Sequence, residues 1–272
     1  MLRIPAAVCG LLLFATEASA ESIRADVACT LVVDAAAGRV IHDSGDCDTR
    51  NSPASTFKLP LAVMGFDAGI LIDPHTPVWA YRAEYRASRD EARRDTDPTY
   101  WLKESIVWYS QQLTLKLGMP GLRRYVDGFG YGNRDLSGDP GRNNGLTQAW
   151  LGYSSLQISP REQTVFLRRL LERSLPASRA AQDKAIASMP GFSTADGWTV
   201  HGKTGSGFLR GAGGGVDRAR PFGWFIGWAE KLGQRTVVFA RLRKLDGGPA
   251  MGAGPQTRDG LLADLPGLLA KN

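Results

Sequence analysis

The spacing of apolar residues indicates helices in the middle of the chain. Between residues 55 and 173, apolar side chains recur every three or four positions, which is typical of helices that bury one face. The boundaries are marked too, since Gly118 and Pro120 end one such pattern and Ser159 followed by Pro160 begins another. The pattern predicts helices over 55–66, 101–118, 120–128 and 159 to about 173.

Shorter apolar segments indicate strands at the two ends of the chain. A turn that ends at Gly38 separates the first two segments, and 231–234 is a hairpin signal between the last two. A helix over about 256–269 closes the chain. The predicted strands are 30–33, 39–42, 197–205, 223–230 and 235–243. Together these elements predict an α+β fold, in which an antiparallel sheet is flanked by N- and C-terminal helices and a mostly helical subdomain is inserted in the middle.

Two further segments have no apolar period. Segment 82–98 is dense in charges of both signs, which indicates a solvated connection. The glycine-rich run 211–215 is typical of a hairpin tip. It does not follow the strand–helix pattern of a nucleotide site, so phosphate binding is not expected there.

The first twenty residues have the pattern of a secretory signal peptide. Arg3 precedes an apolar stretch over 4–15, and Ala18-Ser19-Ala20 supplies a small-residue cleavage site. The stretch is shorter than the roughly 20 residues that span a bilayer. We therefore expect residues 1–20 to be removed, residues 21–272 to form one domain without a membrane anchor, and the mature protein to be periplasmic or secreted. A buried N-terminal helix is the alternative.

Composition and charge exclude several classes of protein. A hydrophobic content of 43% with 22% charged residues is that of a folded globular chain rather than a disordered or fibrous one. The net charge of +6 comes from 33 Lys and Arg interleaved with 27 Asp and Glu, without a basic run beside stacking aromatics. Nucleic acid is therefore not an expected partner. A basic surface without a ligand, or affinity for a small anion, accounts for the surplus.

Two cysteines remain after signal removal, Cys29 and Cys47. They lie nine residues on either side of Gly38, so a hairpin around that turn brings them opposite each other. An even pair in an exported chain favours a disulfide, and two free thiols are the alternative.

The three histidines, His42, His75 and His201, lack the spacing of a zinc site, and nothing in their positions predicts a Ser-His-Asp triad. No metal is expected, and a catalytic base has to be another residue. Ser55 and Lys58 are candidates, because three positions on a helix bring two side chains to one face.

Lys58 has apolar neighbours in the sequence, and an apolar setting favours the neutral amine over the ammonium ion. A neutral amine can add CO2 and become a carbamate, which would place a carboxylate beside Ser55. Pro60 is a local conflict, because it leaves the Thr56 carbonyl without its helical partner.

Three later motifs add to this pair. Lys203-Thr204-Gly205 on a strand supplies a cation and a hydroxyl for a carboxylate, and the glycine lets a substrate approach the backbone. Ser105-Ile106-Val107 is predicted in mid-helix, where Ser105 could relay a proton, although a solvated serine has the same pattern. Tyr131-Gly132-Asn133 is predicted as a turn.

In this order, the motifs resemble the serine-active penicillin-recognising enzymes. They are most similar to the class D β-lactamases, whose S-T-F-K, S-x-V, Y-G-N, W and K-T-G elements match Ser55 to Lys58, Ser105 to Val107, Tyr131 to Asn133, Trp150 and Lys203 to Gly205. The resemblance covers nearly all of the mature chain and implies a β-lactamase/transpeptidase-like fold. It also implies β-lactam hydrolysis and antibiotic resistance.

The resemblance implies a role for each matching residue in the chemistry. Ser55 would be the acylated nucleophile, and Lys58, carboxylated by CO2 without any other cofactor, would be the base. The Trp150 indole N–H would hold the carbamate, and Val107 would help to cover it. Ser105 would connect the leaving nitrogen to Lys203.

Further positions would bind the substrate. Backbone N–H groups of Ser55 and Ser206 would form the oxyanion hole. Thr204 and Arg258 would bind the substrate carboxylate, with Arg241 or Arg243 as substitutes for the arginine. The small residues after Gly205 indicate room for large acylamino groups and hence turnover of extended-spectrum cephalosporins.

Two other functions remain open at this point. A penicillin sensor is acylated at the same serine without turnover, and a transpeptidase acts on peptidoglycan. The short chain with its cleavable signal favours the free enzyme, as a monomer or weak dimer.

Overall fold

A six-stranded antiparallel sheet forms the centre of the computed structural model, which describes residues 25–152, 154–210, 216–245 and 250–270. The strands lie in the order β2-β1-β6-β5-β4-β3. Their bounds are β1 Ala25–Asp34, β2 Val40–Gly45, β3 Gly191–Ser193, β4 Thr199–Arg210, β5 Val216–Glu230 and β6 Val237–Leu245. The predicted signal peptide (1–20) and the glycine-rich segment 211–215 lie outside the described residues.

Seven α-helices accompany the sheet in the described part of the chain. They are α1 Lys58–Asp67, α2 Pro98–Glu104, α3 Val107–Phe129, α4 Gly145–Gln148, α5 Pro160–Leu171, α6 Arg179–Ala187 and α7 Ala250–Ala270. Strands from both ends of the chain thus share one sheet, and α1 to α6 lie between them in sequence. The α+β fold with a helical insertion is confirmed. None of the described helices has the length and apolar character needed to cross a membrane.

The central strands are apolar on both faces because helices cover both faces. On β5, Trp224 and Ile226 belong to the core that the inserted helices share. Phe225, between them, packs with Phe239 of β6 in a second core that includes Leu261 of α7. Alternate residues of a strand point to opposite faces, so a nearly continuous apolar run marks a strand covered on both sides. This double cover fixes the sheet between α7 and the helical insertion.

The predicted helix 101–118 is wrong in one respect, because the chain breaks at Ser105. This residue has left-handed backbone angles (φ 59°, ψ 43°), and the N–H groups of Ser105 and Ile106 both donate to the Trp101 carbonyl to end α2. Helix α3 then starts at Val107 and continues through a kink at Gly118 (φ 66°). Apolar spacing continues across the break, so the period alone did not reveal it.

Segment 82–98 is also more than a solvated connection. Its charged side chains are mostly exposed, but Ala92 is buried and the Tyr85 ring stacks on Trp108 with centroids 5.0 Å apart. The Trp108 indole N–H donates to the Ala92 carbonyl at 2.8 Å. We call segment 82–98 the strap, since these contacts hold it against the start of α3.

The predicted disulfide between Cys29 and Cys47 is confirmed. The register differs from a hairpin symmetric about Gly38, because Cys29 pairs with Gly45 rather than with Cys47. Gly45 has a positive φ of 79°, and a Cβ there would lie 2.3 Å from the Ala28 carbonyl oxygen. The chain turns at this glycine and brings Cys47 back to β1.

Candidate active site

Ser55 lies in a 3₁₀ helix over Ala54–Phe57 that leads directly into α1. This tighter turn removes the conflict at Pro60, because α1 begins at Lys58 and the proline occupies its first turn, where backbone N–H groups lack helical partners in any case. Ala54 has a positive φ of 47°, an uncommon conformation for a residue with a side chain. Ser55 is half-buried.

Lys58 is completely buried, and its Nζ donates to the Ser55 Oγ at 3.0 Å. Burial, followed by the positive charges of Lys203 and Arg89, holds the pKa of Lys58 well below that of an ordinary lysine. The predicted pairing on one face is therefore present. An amine in this setting is neutral over a wider range of pH than a solvated one.

Trp150 is buried in contact with the same turn, and its ring stacks on Phe57 with centroids 5.2 Å apart. Its backbone is fixed as well, because the Ser52 hydroxyl donates to the Trp150 carbonyl at 3.1 Å. The indole Nε1, however, is buried and has no hydrogen-bond partner among the residues that the structure describes. Leaving a buried N–H unpaired costs about 1–3 kcal/mol, so this donor points to an acceptor that binds there.

Ser105 and Val107 lie at the junction of α2 and α3 rather than in mid-helix. The Ser105 Oγ is buried and also has no hydrogen-bond partner in the described part of the chain. Val107 is the first residue of α3 and is 38% exposed. Both residues line a cavity of about 290 Å³, together with Arg89 of the strap.

Lys203 is buried on β4, and its Nζ donates to the Thr204 carbonyl at 3.1 Å. Burial, followed by the charge of Arg89, lowers the pKa of Lys203 to about 7, while Glu104 acts in the opposite direction. Gly205 is the point at which β4 meets the 3₁₀ helix. A Cβ there would lie 3.0 Å from the Pro53 carbonyl oxygen, so glycine allows this approach.

Ser206 connects the same strand to α7, because its Oγ accepts from the Gly254 N–H at 2.9 Å. The next residue, Gly207, does not leave open space on its own side. A Cβ at Gly207 would lie 2.7 Å from the Phe222 Cζ, so that volume is filled by the Phe222 ring.

The structure also separates the three candidate arginines. Arg258 lines a cavity of about 440 Å³ with Lys203 and Thr204. Arg241 is committed elsewhere, since it donates to Asp264 at 2.7 Å and to the Thr30 hydroxyl at 2.9 Å. Neither Arg241 nor Arg243 lines this cavity. Of the three, Arg258 is the one placed beside Lys203 and Thr204.

Sequence reasoning missed Arg89 and Glu104. The Arg89 Nη2 donates to the Glu104 carbonyl at 2.5 Å, and Glu104 lines the same cavity as Lys203. The single tyrosine of the strap, Tyr85, was a signal that it packs on the domain. Nothing in the sequence indicated that Arg89 lies near the two lysines.

Comparisons with known proteins agree with this geometry. Residues 28–257 match the family of penicillin-binding protein transpeptidase domains. The chain is 49% identical to the β-lactamase OXA-9 of Klebsiella pneumoniae over 242 residues, which are 89% of this chain and 88% of that protein. It is 36% identical to the β-lactamase OXA-1 of Escherichia coli over 217 residues, 79% and 75% of the two chains.

A solved structure extends the likeness to the fold. The crystal structure of the OXA-427 class D β-lactamase superposes with a TM-score of 0.82 at 40% identity. The match covers 89% of this chain and 98% of that one.

Proposed function

The chain belongs to the class D β-lactamases, and on that premise we propose that it hydrolyses β-lactams through an acyl-enzyme on Ser55, with Lys58 as the base in both half-reactions. Such an enzyme confers resistance to β-lactam antibiotics. One observation supports this most strongly: the buried Lys58 Nζ lies 3.0 Å from the Ser55 Oγ. A base within hydrogen-bond reach of a hydroxyl can activate it as a nucleophile.

In acylation, the Lys58 side chain takes the proton of the Ser55 hydroxyl, and the Oγ attacks the lactam carbonyl carbon. The backbone N–H groups of Ser55 and Ser206 stabilise the oxyanion. The carbon–nitrogen bond of the ring then breaks, and the leaving nitrogen receives a proton from Lys203 through the Ser105 hydroxyl. Transfer of the proton held by Lys58 to Lys203 then restores the starting protonation state of both side chains. In deacylation, Lys58 takes a proton from water, the hydroxide attacks the ester carbon, and the proton passes to the Ser55 Oγ as it leaves.

Lys58 and Trp150 also fit an N-carboxyl group that CO2 would supply. Carbamate formation needs a neutral amine, and the lowered pKa of Lys58 favours one. The unpartnered Trp150 indole N–H would hold the group, and Val107 would help to cover it. When bound, the group supplies a carboxylate as the proton acceptor.

The cavity beside β4 would hold the substrate carboxylate. Thr204 and Arg258 supply a hydroxyl and a guanidinium there, and Lys203 adds a second positive charge. Gly205 lets the substrate approach the backbone of this strand. The neighbouring Asp259, which accepts from the Arg258 Nε at 2.8 Å, leaves the other guanidinium nitrogens available for the substrate.

Extended-spectrum cephalosporin turnover remains a proposal with a narrower basis. The volume beside Gly207 is filled by Phe222, so the half-buried Ser206 alone supplies the small edge on which the proposal rests. We expect measurable kcat/KM for an oxyimino-cephalosporin. A value near zero while penicillins turn over well would refute this part of the proposal.

Steady-state hydrolysis of a small β-lactam panel, with and without added bicarbonate, tests the function. We expect turnover of nitrocefin and benzylpenicillin that bicarbonate increases after CO2 removal at low pH. Stoichiometric acylation of Ser55 without turnover would identify a penicillin sensor instead. Release of D-alanine from peptidoglycan peptides would identify a transpeptidase.

The proposed export has its own test. Expression of the full chain in a Gram-negative host should release a periplasmic or secreted protein whose N-terminus is Glu21. A chain that keeps residues 1–20 after fractionation would contradict signal cleavage. Size-exclusion chromatography of the mature protein should show a monomer or weak dimer.

A further inference from the structure

Arg89 is a half-buried cation without an acidic partner. Its Nη2 donates to the Glu104 carbonyl at 2.5 Å, which fixes the guanidinium beside the α2–α3 junction. Among the described residues, no Asp or Glu forms an ion pair with it, whereas Arg82 and Arg93 of the same strap pair with Glu84 and Asp90. Arg89 therefore keeps guanidinium N–H donors that none of the described carboxylates uses, and such donors can bind an anionic ligand.

The cavity beside Arg89 has a composition suited to an anion. It measures about 290 Å³, and its lining includes the apolar residues Val107 and Leu151, the neutral Gln111 and a second arginine, Arg86. Neither Asp nor Glu is among the described residues that line it. The Ser105 Oγ, buried and without a partner, belongs to the same wall.

If the protein has the proposed function, the position of this cavity indicates which substituent of the β-lactam lies in it. Adjacent residues of one junction line the two cavities: Glu104 lines the one with Lys203 and Arg258, and Ser105 lines the one with Arg89. In a β-lactam, the ring carboxylate and the acylamino substituent lie on opposite sides of the scissile carbonyl. With the carboxylate beside Arg258, the acyl side chain therefore extends toward Arg89.

We propose that Arg89 recognises a carboxylate on the acyl side chain of the substrate. The enzyme then prefers β-lactams that carry a second negative charge at this position and disfavours those with an ammonium group there. The charge of Arg89 reaches the reacting groups, since it is among the causes that lower the pKa of both Lys58 and Lys203. Removing Arg89 therefore affects the turnover of every substrate through these two lysines. The test therefore compares the kcat/KM values of two substrates as a ratio, measured with bicarbonate in excess.

Three penicillins isolate the effect, because they differ at one side-chain carbon: benzylpenicillin carries hydrogen, ampicillin an ammonium and carbenicillin a carboxylate. In Arg89→Gln, we expect the kcat/KM ratio of carbenicillin to ampicillin to fall by about tenfold or more, as for loss of a charge-assisted hydrogen bond. Arg89→Lys should keep most of the ratio. Arg82→Gln, an exposed position of the same strap, is the matched control and should leave it unchanged.

Salt supplies a second measurement that needs no variant. In the wild type, a higher ionic strength screens the charge of Arg89. The kcat/KM ratio of carbenicillin to ampicillin should therefore fall toward the value expected for Arg89→Gln. The proposal would be overturned if Arg89→Gln had the same kcat/KM ratio of carbenicillin to ampicillin as the wild type. If that variant does not fold, a wild-type ratio that does not change in high salt would overturn it. Absence of benzylpenicillin turnover by the wild type would instead overturn the proposed function, on which this inference depends.

Discussion

Charged side chains have ion-pair partners in one region of the molecule and lack them in the active site. The paired region, which we call the corner, consists of Asp43, residues 47–50 and residues 159–162 at the start of α5. In the corner, Glu162 accepts from the Arg50 guanidinium and from the Ser159 backbone N–H, and the Ser159 hydroxyl accepts in return from the Glu162 N–H. Arg161 pairs with Asp43 and with Asp48. Each of these charges has a partner, and the Cys29–Cys47 disulfide closes the same region.

In the active site, two lysines are buried, and no described carboxylate forms an ion pair with either of them. Lys58 contacts a serine hydroxyl and Lys203 a backbone carbonyl, and two polar atoms, the Trp150 Nε1 and the Ser105 Oγ, have no partner among the described residues. Desolvated amines and unpaired donors weaken a fold. Two desolvated lysines together with such donors, set against the ion pairs of the corner, indicate that the cleft is arranged for chemistry rather than for stability.

Removing the amine of Lys58 should have the largest opposite effects on catalysis and on stability. Lys58→Met should lower kcat by about 10³- to 10⁴-fold, because among the described residues Lys58 alone supplies a base that is hydrogen-bonded to the Ser55 Oγ. The same change should raise the free energy of unfolding by about 1 kcal/mol or more, since methionine needs no desolvation of a charge. Steady-state kinetics and thermal unfolding measure the two effects.

The increase in the free energy of unfolding in Lys58→Met should depend on pH, because the pKa of Lys58 is lowered in the folded protein. Below about pH 10, the unfolded chain binds a proton at Lys58 more tightly than the folded chain does, so this lysine destabilises the fold increasingly as pH falls. With CO2 removed, the advantage of Lys58→Met should therefore be larger at pH 6 than at pH 9. Lys116→Met, on the exposed face of α3, is the control, and an equal gain there would contradict the argument.

Opening the disulfide tests the other region. Replacing both Cys29 and Cys47 by serine should lower the free energy of unfolding by about 3 kcal/mol, the value for a closed loop of this length. Activity at 25 °C should change less than twofold, because neither cysteine is among the described residues that line the two cavities of the active site. A large loss of kcat with unchanged stability would mean that the corner and the cleft are coupled.

Trp150→Phe sharpens the comparison within the cleft. The phenyl ring retains stacking on Phe57 but removes the unpartnered N–H, so kcat should fall by about tenfold in ambient CO2, and added bicarbonate should restore part of it. Stability should change little, because the gain from losing a donor that has no partner among the described residues is offset by the cavity that the smaller ring leaves. A variant indifferent to bicarbonate and fully active would remove Trp150 from the proposal.

The smallest effect is expected at the helix cap of the corner. Ser159→Ala removes one half of a reciprocal capping box at the start of α5 and should cost about 1 kcal/mol of stability. Kinetic constants should stay unchanged. Chemical denaturation measures the stability, and a shift in KM beyond error would contradict the separation of the two regions.

Local sequence signals predicted the residues that are fixed by spacing. The Ser159 cap and the Ser55–Lys58 face follow from positions three apart, and the strands follow from apolar runs. The break at Ser105 did not, because a left-handed serine keeps the apolar period intact on both sides. Arg89 was missed since its place depends on how the strap packs on Trp108, which the dense charge of that segment concealed.

The central claim is that Lys58 is a neutral, dry amine that binds CO2 and acts as the base for Ser55. ¹³C NMR of the enzyme in ¹³C-bicarbonate tests it most directly. We predict one carbamate resonance per chain that is absent in Lys58→Met and that disappears in acid in parallel with activity. Full β-lactam turnover in a sample with no such resonance would contradict it.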